Sequence, residues 1–217
     1  MDTAVPNRPE SLTDRAYGLI EEEIVTLLLP PGAIVSEAML GARHGIGRTP
    51  VREALQRLAR EHLVHILPRR GIVVSEVDAA KQLRLLETRR ELERLLARSA
   101  ALRATPVQRA AFTSLAKGME TAGETGQALD FMRLDRGFNA LLLDAASNEF
   151  AASAMGLMNG LSRRFWFAHH AAADLPHTAR LHAAIARSIA ANEPCAAATA
   201  SDALVDVIEN VARKAIG

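Results

Sequence analysis

Pro50 sits three residues past Gly47 in an amphipathic run, and a proline there fixes where one helix must begin. The run reads Gly47-Arg48-Thr49-Pro50-Val51-Arg52-Glu53-Ala54-Leu55-Gln56-Arg57-Leu58. Val51, Ala54, Leu55 and Leu58 recur at i, i+3, i+4 and i+7 and share one side of a 3.6-residue helix, with Arg48, Thr49, Arg52 and Gln56 opposite. A proline is tolerated only where its missing N–H has no intrahelical partner, so the helix starts at Gly47 or Arg48, with Gly47 as N-cap. That start places Arg48, Thr49 and Arg52 at the positive end of the helix, where side chains and free backbone N–H groups meet phosphate. Two arginines one turn apart can also fork onto guanine O6 and N7. Taken alone, the window reads more readily as an ordinary amphipathic surface helix with solvated arginines.

Its neighbours separate these readings. Leu12 to Leu28 carries Tyr17, Ile20, Ile24, Leu27 and Leu28 at helical spacing and stops at Pro30-Pro31-Gly32. Ser36 to Arg43 reads as a second helix, capped by Ser36 and ended at Gly45. A short helix, the turn Gly45-Ile46-Gly47 and the arginine-faced helix make a helix-turn-helix. Leu63 to Leu67 and Ile72 to Val74 are β-rich runs flanking Pro68-Arg69-Arg70-Gly71, a hairpin with a basic tip. The sum is a winged helix-turn-helix, whose wing reaches a neighbouring groove or backbone.

Pro31-Gly32-Ala33-Ile34-Val35-Ser36-Glu37, Gly45 through Leu55, Leu58, Glu61 through Val64 and Arg69-Arg70-Gly71 closely resemble the DNA-binding domain of GntR-superfamily bacterial transcription regulators. The resemblance spans residues 12 to 76. It implies base readout by Arg48 and Arg52, with Thr49, Arg43 and the Arg69-Arg70-Gly71 tip holding phosphates or an adjacent groove. The family usually has Ser at position 47 and Gly at position 62. Gly47 should cap slightly less well, and His62 implies a backbone at that position without positive φ.

A chain of 217 residues with 49% hydrophobic content can bury two modest domains. One cysteine excludes an internal disulfide framework. No apolar run approaches 18 residues and no cleavable leader is visible, which points to a cytoplasmic protein without a membrane partner. A formal net charge of +1 argues against indiscriminate nucleic-acid binding. The arginines instead crowd locally, at Arg43, Arg48, Arg52, Arg57, Arg60, Arg69 and Arg70.

From Asp78 onward no strand alternation appears, and the punctuation divides the chain into six helices near 78–104, 106–122, 127–146, 148–172, 176–191 and 194–215. Asp135 and Asn139 lie one turn apart on one face, beside an apolar stripe of Leu134, Phe138, Leu141 and Leu142. His182, followed by Ile185 and Ile189, points toward the bundle interior. His169-His170 reads as surface or rim, and Phe165-Trp166-Phe167 as packing within the bundle or at a dimer seam.

Residues 79 to 214 resemble, more weakly, the FCD domain of the FadR subfamily, in its six-helix VanR-like form. Arg89 through Glu93 matches its Arg-x-x-Leu-Glu element, and Asp135 through Asn139 with Ser147-Asn148 matches its Asp-x-x-Phe-His segment. The resemblance implies an effector pocket at Arg89, Asp135, Asn139 and His182, with Arg89 pairing an anionic, carboxylate-type metabolite. Many FCD domains hold a divalent metal, zinc or nickel, on one Asp and three His. Asp135 and His182 fit that set, whereas Asn139 and Leu204 stand where histidines are expected. Two strong ligands are too few for tight binding unless His177 or Asp202 moves in.

The expected fold is mainly α: a mobile arm over 1–10, a winged helix-turn-helix with a β-hairpin over 11–76 and an all-α effector and dimerisation bundle over 77–217. The expected function is a ligand-responsive, homodimeric regulator of a pseudo-palindromic operator, not an enzyme. A constitutive DNA-binding protein whose bundle only dimerises is the alternative.

Overall fold

The computed structural model describes residues 11–68, 71–169 and 174–216. The chain divides into two compact units, Met1–Glu76 and Val77–Gly217.

In the first unit α1 (Leu12–Val25) begins where the Ser11 hydroxyl accepts from the Asp14 N–H at 3.0 Å. It ends before the Leu28 that its apolar spacing predicts: Leu27 turns to φ 61°, and Leu28 is exposed ahead of the two prolines. β1 (Ile34–Val35) has no counterpart in the sequence expectation, since two residues cannot display a period-2 pattern. α2 (Glu37–His44) is capped by Ser36, which accepts from the Met39 N–H, and closed by Gly45 at φ 64°. α3 (Arg48–Arg60) starts from Gly47 in extended conformation with no side-chain cap, as the position of Pro50 requires. β2 (Val64–Leu67) and β3 (Gly71–Val74) form the wing, and the antiparallel sheet runs β1-β3-β2. Val64 faces Val74 and Leu67 faces Gly71 across the hairpin. Ile20, Ile24, Leu40, Val51, Leu55, Leu58 and Leu63 fill the core, each side chain contributing roughly 1.5–3 kcal/mol by leaving water.

One expectation fails here. His62 has φ 58°, so it takes the left-handed conformation that its non-glycine identity argued against. The turn between α3 and β2 imposes it: His62 N–H donates to the Ala59 carbonyl at 3.1 Å, and the His62 carbonyl accepts from Ser75 Oγ at 2.7 Å. The imidazole is exposed and costs nothing by burial.

The second unit holds six helices among the described residues: α4 (Ala79–Arg103), α5 (Pro106–Glu124), α6 (Ala128–Ala146), α7 (Glu149–His169), α8 (Leu175–Ala190) and α9 (Pro194–Lys214). Their starts follow local chemistry. Asp78 and Asp174 cap α4 and α8, Thr105 and Gln108 form a reciprocal capping box on α5, and Asn148 Oδ1 accepts from the Ala151 N–H at the head of α7. The last three residues of the predicted 148–172 helix, His170 among them, lie outside the described residues. α4 packs along α9, α5 along α8, and α6 and α7 against α4. Gly123 makes the α5–α8 approach possible, because a Cβ there would stand 2.6 Å from Ala179 Cβ.

Candidate functional site

The first unit carries its arginines on the outer face of the helix-turn-helix. Arg48, Thr49 and Arg52 are exposed on α3, whose first N–H groups have no intrahelical acceptor. Arg52 is held in place: Nε and Nη2 fork onto the two carboxylate oxygens of Glu37 at 2.8 and 2.9 Å. That hydrogen bond, working against the effect of burial, keeps the Glu37 carboxyl below the usual carboxylate range. Arg43 bonds both oxygens of Glu23 at 3.2 Å. Arg57, grouped with the basic face in the sequence, is exposed but tied to its neighbours. It stacks 3.7 Å over the Tyr17 ring and donates to Glu61 at 3.2 Å. Gly71 opens β3 at φ 90°, where a Cβ would crowd the Val35 carbonyl. Arg69 and Arg70 lie outside the described residues.

The second unit buries its polar residues. Leu86, Arg89, Glu93 and Leu96 follow the inner stripe of α4, and Phe131, Asp135, Phe138 and Leu142 that of α6. Charged groups therefore occupy core positions, and they meet. His182 Nε2 lies 3.1 Å from Asp135 Oδ1, while Asn139 Nδ2 donates to the same oxygen at 2.9 Å. Arg163, from α7, faces Asp135 Oδ2 at 3.2 Å and donates to the Met132 carbonyl at 3.1 Å. Arg89 donates through Nε to Glu93 Oε1 at 2.5 Å. The rings of Phe131 and Phe138 present themselves edge-on to His182 at 5.3 and 6.0 Å.

Burial alone would push the Asp135 carboxyl up. The His182 hydrogen bond and the charges of His182, Arg163 and Arg89 outweigh it and hold the group below the carboxylate range. Burial would likewise lower His182, but Asp135, the Thr178 carbonyl and the Glu93 charge raise it above the usual imidazole range. Both ring nitrogens face acceptors, Nδ1 the Thr178 carbonyl at 2.9 Å and Nε2 the carboxylate. That is the hydrogen bonding of an imidazolium.

Arg89, Asp135, Asn139 and His182 thus come together as the sequence predicts, while Arg163 and Glu93 complete the cluster without having been assigned to it. Arg163 had a legible signal. It stands eight residues after Met155, on the buried side of α7, although it is embedded in a run that reads as aromatic packing.

The donor set does not fit a tightly held divalent metal. Asp135 already meets an imidazole, an amide and a guanidinium, His182 turns both ring nitrogens to protein oxygens, and Leu204 is buried at the position of the missing histidine. The substitutes do not arrive. Asp202 accepts from Arg94 Nε at 2.6 Å, and His177 is exposed at the head of α8. Among the described residues, no three His, Cys, Asp or Glu side chains gather around a common point. Nor, among them, is any helix long and apolar enough to cross a membrane.

The gntR family of bacterial regulatory proteins matches residues 12–74, and the FCD domain matches residues 84–207. The HTH-type transcriptional repressor RspR of Escherichia coli (strain K12) is 31% identical over 145 residues, which is 67% of this chain and 64% of RspR. The Nta operon transcriptional regulator of Aminobacter aminovorans is 30% identical over 138 residues, 64% of each chain. The match therefore spans slightly under two thirds of these relatives. The solved structure of E. coli McbR/YncC covers 95% of this chain and 99% of its own, with a TM-score of 0.78 at 19% identity, a likeness of fold. These families and relatives are transcription regulators rather than enzymes. An arginine-faced helix in a winged unit, a buried polar pocket in a helical one and these matches agree: the chain belongs to the GntR family of bacterial regulatory proteins and carries an FCD domain.

Proposed function

We propose that the chain acts in the cytoplasm as a homodimer that binds a pseudo-palindromic operator and changes its affinity when the FCD pocket takes a small carboxylate-type effector. The observation that carries the effector reading is the burial of Arg89, Glu93, Asp135, Arg163 and His182 around open space. A buried ion cluster is commonly no more stable than apolar residues of the same volume, and often less so by about 1–4 kcal/mol. A bundle that served only for dimerisation would have no use for it. Arg89 pairs the anion, Asn139 and His182 add hydrogen bonds, and Asp135, an acceptor, orients both of them, with no tightly held metal.

Thermal-shift measurements against aromatic acids, sugar acids, amino acids and di- and tricarboxylates, each with and without added divalent metal, test this reading. Stabilisation by an organic acid is expected. A flat response across the panel, with operator binding unaltered, would instead establish a constitutive DNA-binding protein. Near-stoichiometric zinc or nickel in protein purified without chelator would overturn the metal-free site.

For DNA, Arg48 and Arg52 read bases, Thr49, Arg43 and Gly71 hold the backbone or an adjacent groove, and Arg69 and Arg70 extend the basic tip. With an operator selected from random duplexes, Arg52→Ala should weaken binding by about ten- to hundredfold per half-site and relax the selected sequence. Equal weakening on operator and random DNA would reassign Arg52 to phosphate.

A further inference from the structure

The Arg52 side chain is 59% exposed on the outer side of α3, yet its guanidinium has a fixed direction. Nε donates to Glu37 Oε1 at 2.8 Å and Nη2 to Glu37 Oε2 at 2.9 Å, a forked pair between the two helices of the helix-turn-helix. Glu37 is itself anchored, as the first residue of α2 immediately after the Ser36 cap, with its side chain 28% exposed. Other ties on the basic face are looser. Arg43 reaches Glu23 at 3.2 Å through Nη1, and Arg57 reaches Glu61 at 3.2 Å through Nε.

An exposed ion pair contributes little to folding. A carboxylate beside a DNA-reading arginine also repels phosphate, which lowers affinity for every sequence. Its use lies in what it does to Arg52. A guanidinium offers two forked edges, Nε with one Nη and the terminal Nη pair. With Glu37 on the first, the terminal edge is what remains for DNA. That edge fits guanine O6 and N7, and it fits a phosphate equally well. Glu37 separates the two. Its charge, on the other side of the guanidinium, opposes an anion at the terminal edge and acts weakly on the uncharged edge of a guanine. Ordering the side chain before DNA arrives also spares rotamer freedom that binding would otherwise have to freeze.

We infer that Glu37 is a positioning and specificity-determining residue, which turns Arg52 from a general phosphate-binding cation into a reader of guanine through its terminal Nη edge. The inference rests on the base-reading role proposed for Arg52 and deepens it.

The test is binding of the full chain to a duplex that the unsubstituted protein selects from a random library, and to a random duplex, each across a range of salt. Glu37→Ala should lower the ratio of the two affinities about tenfold, as expected for the loss of one good base contact. Affinity for the random duplex should rise, and its slope of log affinity against log salt should steepen by about one, because Arg52 becomes free to hold a phosphate. Glu37→Gln, which keeps the size and one acceptor but not the charge, should steepen the slope in the same way. Adding Glu37→Ala to Arg52→Ala should change sequence selection no further. A merely structural Glu37 would lower the melting temperature and weaken both duplexes in parallel, and that result, or an unchanged ratio and slope, would overturn the inference. Should Glu37→Ala not fold, Glu37→Gln decides alone, and behaviour like that of the unsubstituted protein would overturn the role of the charge. A further loss of selection in the double variant would overturn the positioning role by making Glu37 a base reader itself. Relaxed selection in Arg52→Ala but not in the Glu37 variants would sink the inference and leave the base-reading role standing. Equal weakening of both duplexes by Arg52→Ala would remove both.

Discussion

At the residue scale, the polar side chains of this protein work in pairs that decide which of them are available. Arg52 is exposed yet forked onto Glu37, so in the base-reading role proposed for it a DNA base would take the place of a carboxylate or be approached with the guanidinium already oriented by one. Arg57, also exposed, is engaged by Tyr17 and Glu61. Tyr17 donates to Glu61 at 2.8 Å, and burial first, then the charges of Glu61 and Glu21, raise its phenol well above the ordinary tyrosine range. The sign follows from linkage. Below about pH 10, where the unfolded chain also keeps its phenol protonated, this preference is fully present; it is lost as pH rises through the higher folded value. The melting temperature of the protein should therefore fall more between pH 8 and pH 10.5 than that of Tyr17→Phe, and identical slopes would remove the phenol from the account. Asp135, Asn139 and His182 were legible in the sequence because each interrupts an apolar stripe at a position the stripe requires to be inside. Arg163 was harder to read, because its one signal, the eight-residue spacing from Met155, lies beside another arginine and three aromatics: its direction depends on the exact phase of α7.

Elements were legible to the extent that their signals are local. Ser36, Gly45 and Pro50 place both helices of the helix-turn-helix to within a residue or two, and Asp78, Thr105 and Pro194 do the same for α4, α5 and α9. β1 was invisible, since its two residues are a strand only because β3 pairs with them. His62 shows the limit from the other side, with the tertiary turn overriding the preference of its own residue. His62→Gly should raise the stability of the winged unit by about 1 kcal/mol, the left-handed cost of a non-glycine residue less the extra freedom that glycine gives the unfolded chain. Denaturant unfolding measures it, and a loss of stability would assign the imidazole a contact of its own. Gly123→Ala should do the reverse. Its Cβ would meet Ala179 Cβ at 2.6 Å and the Pro176 backbone at 3.3 Å, so the α5–α8 contact must open at a cost of about 1–3 kcal/mol.

At the scale of the whole molecule, the near-neutral charge of the chain conceals a division of labour: exposed arginines in the winged unit, buried ion pairs in the helical one. If the two are coupled as proposed, effector and operator must change each other's affinity by the same factor, typically about 5- to 150-fold. Titrating effector into protein with and without operator, and operator with and without effector, should return one ratio above or below unity, and a ratio of one in both titrations would remove the coupling. The means of watching this is already in the chain. Trp166 is its single tryptophan, buried against Phe131 at 5.2 Å in the wall of the pocket that Arg89, Asp135 and His182 line. The indole emission of the unlabelled protein thus reports from the pocket alone, so that ligand entry can be timed by fluorescence while the DNA-reading unit stays dark at the tryptophan wavelength.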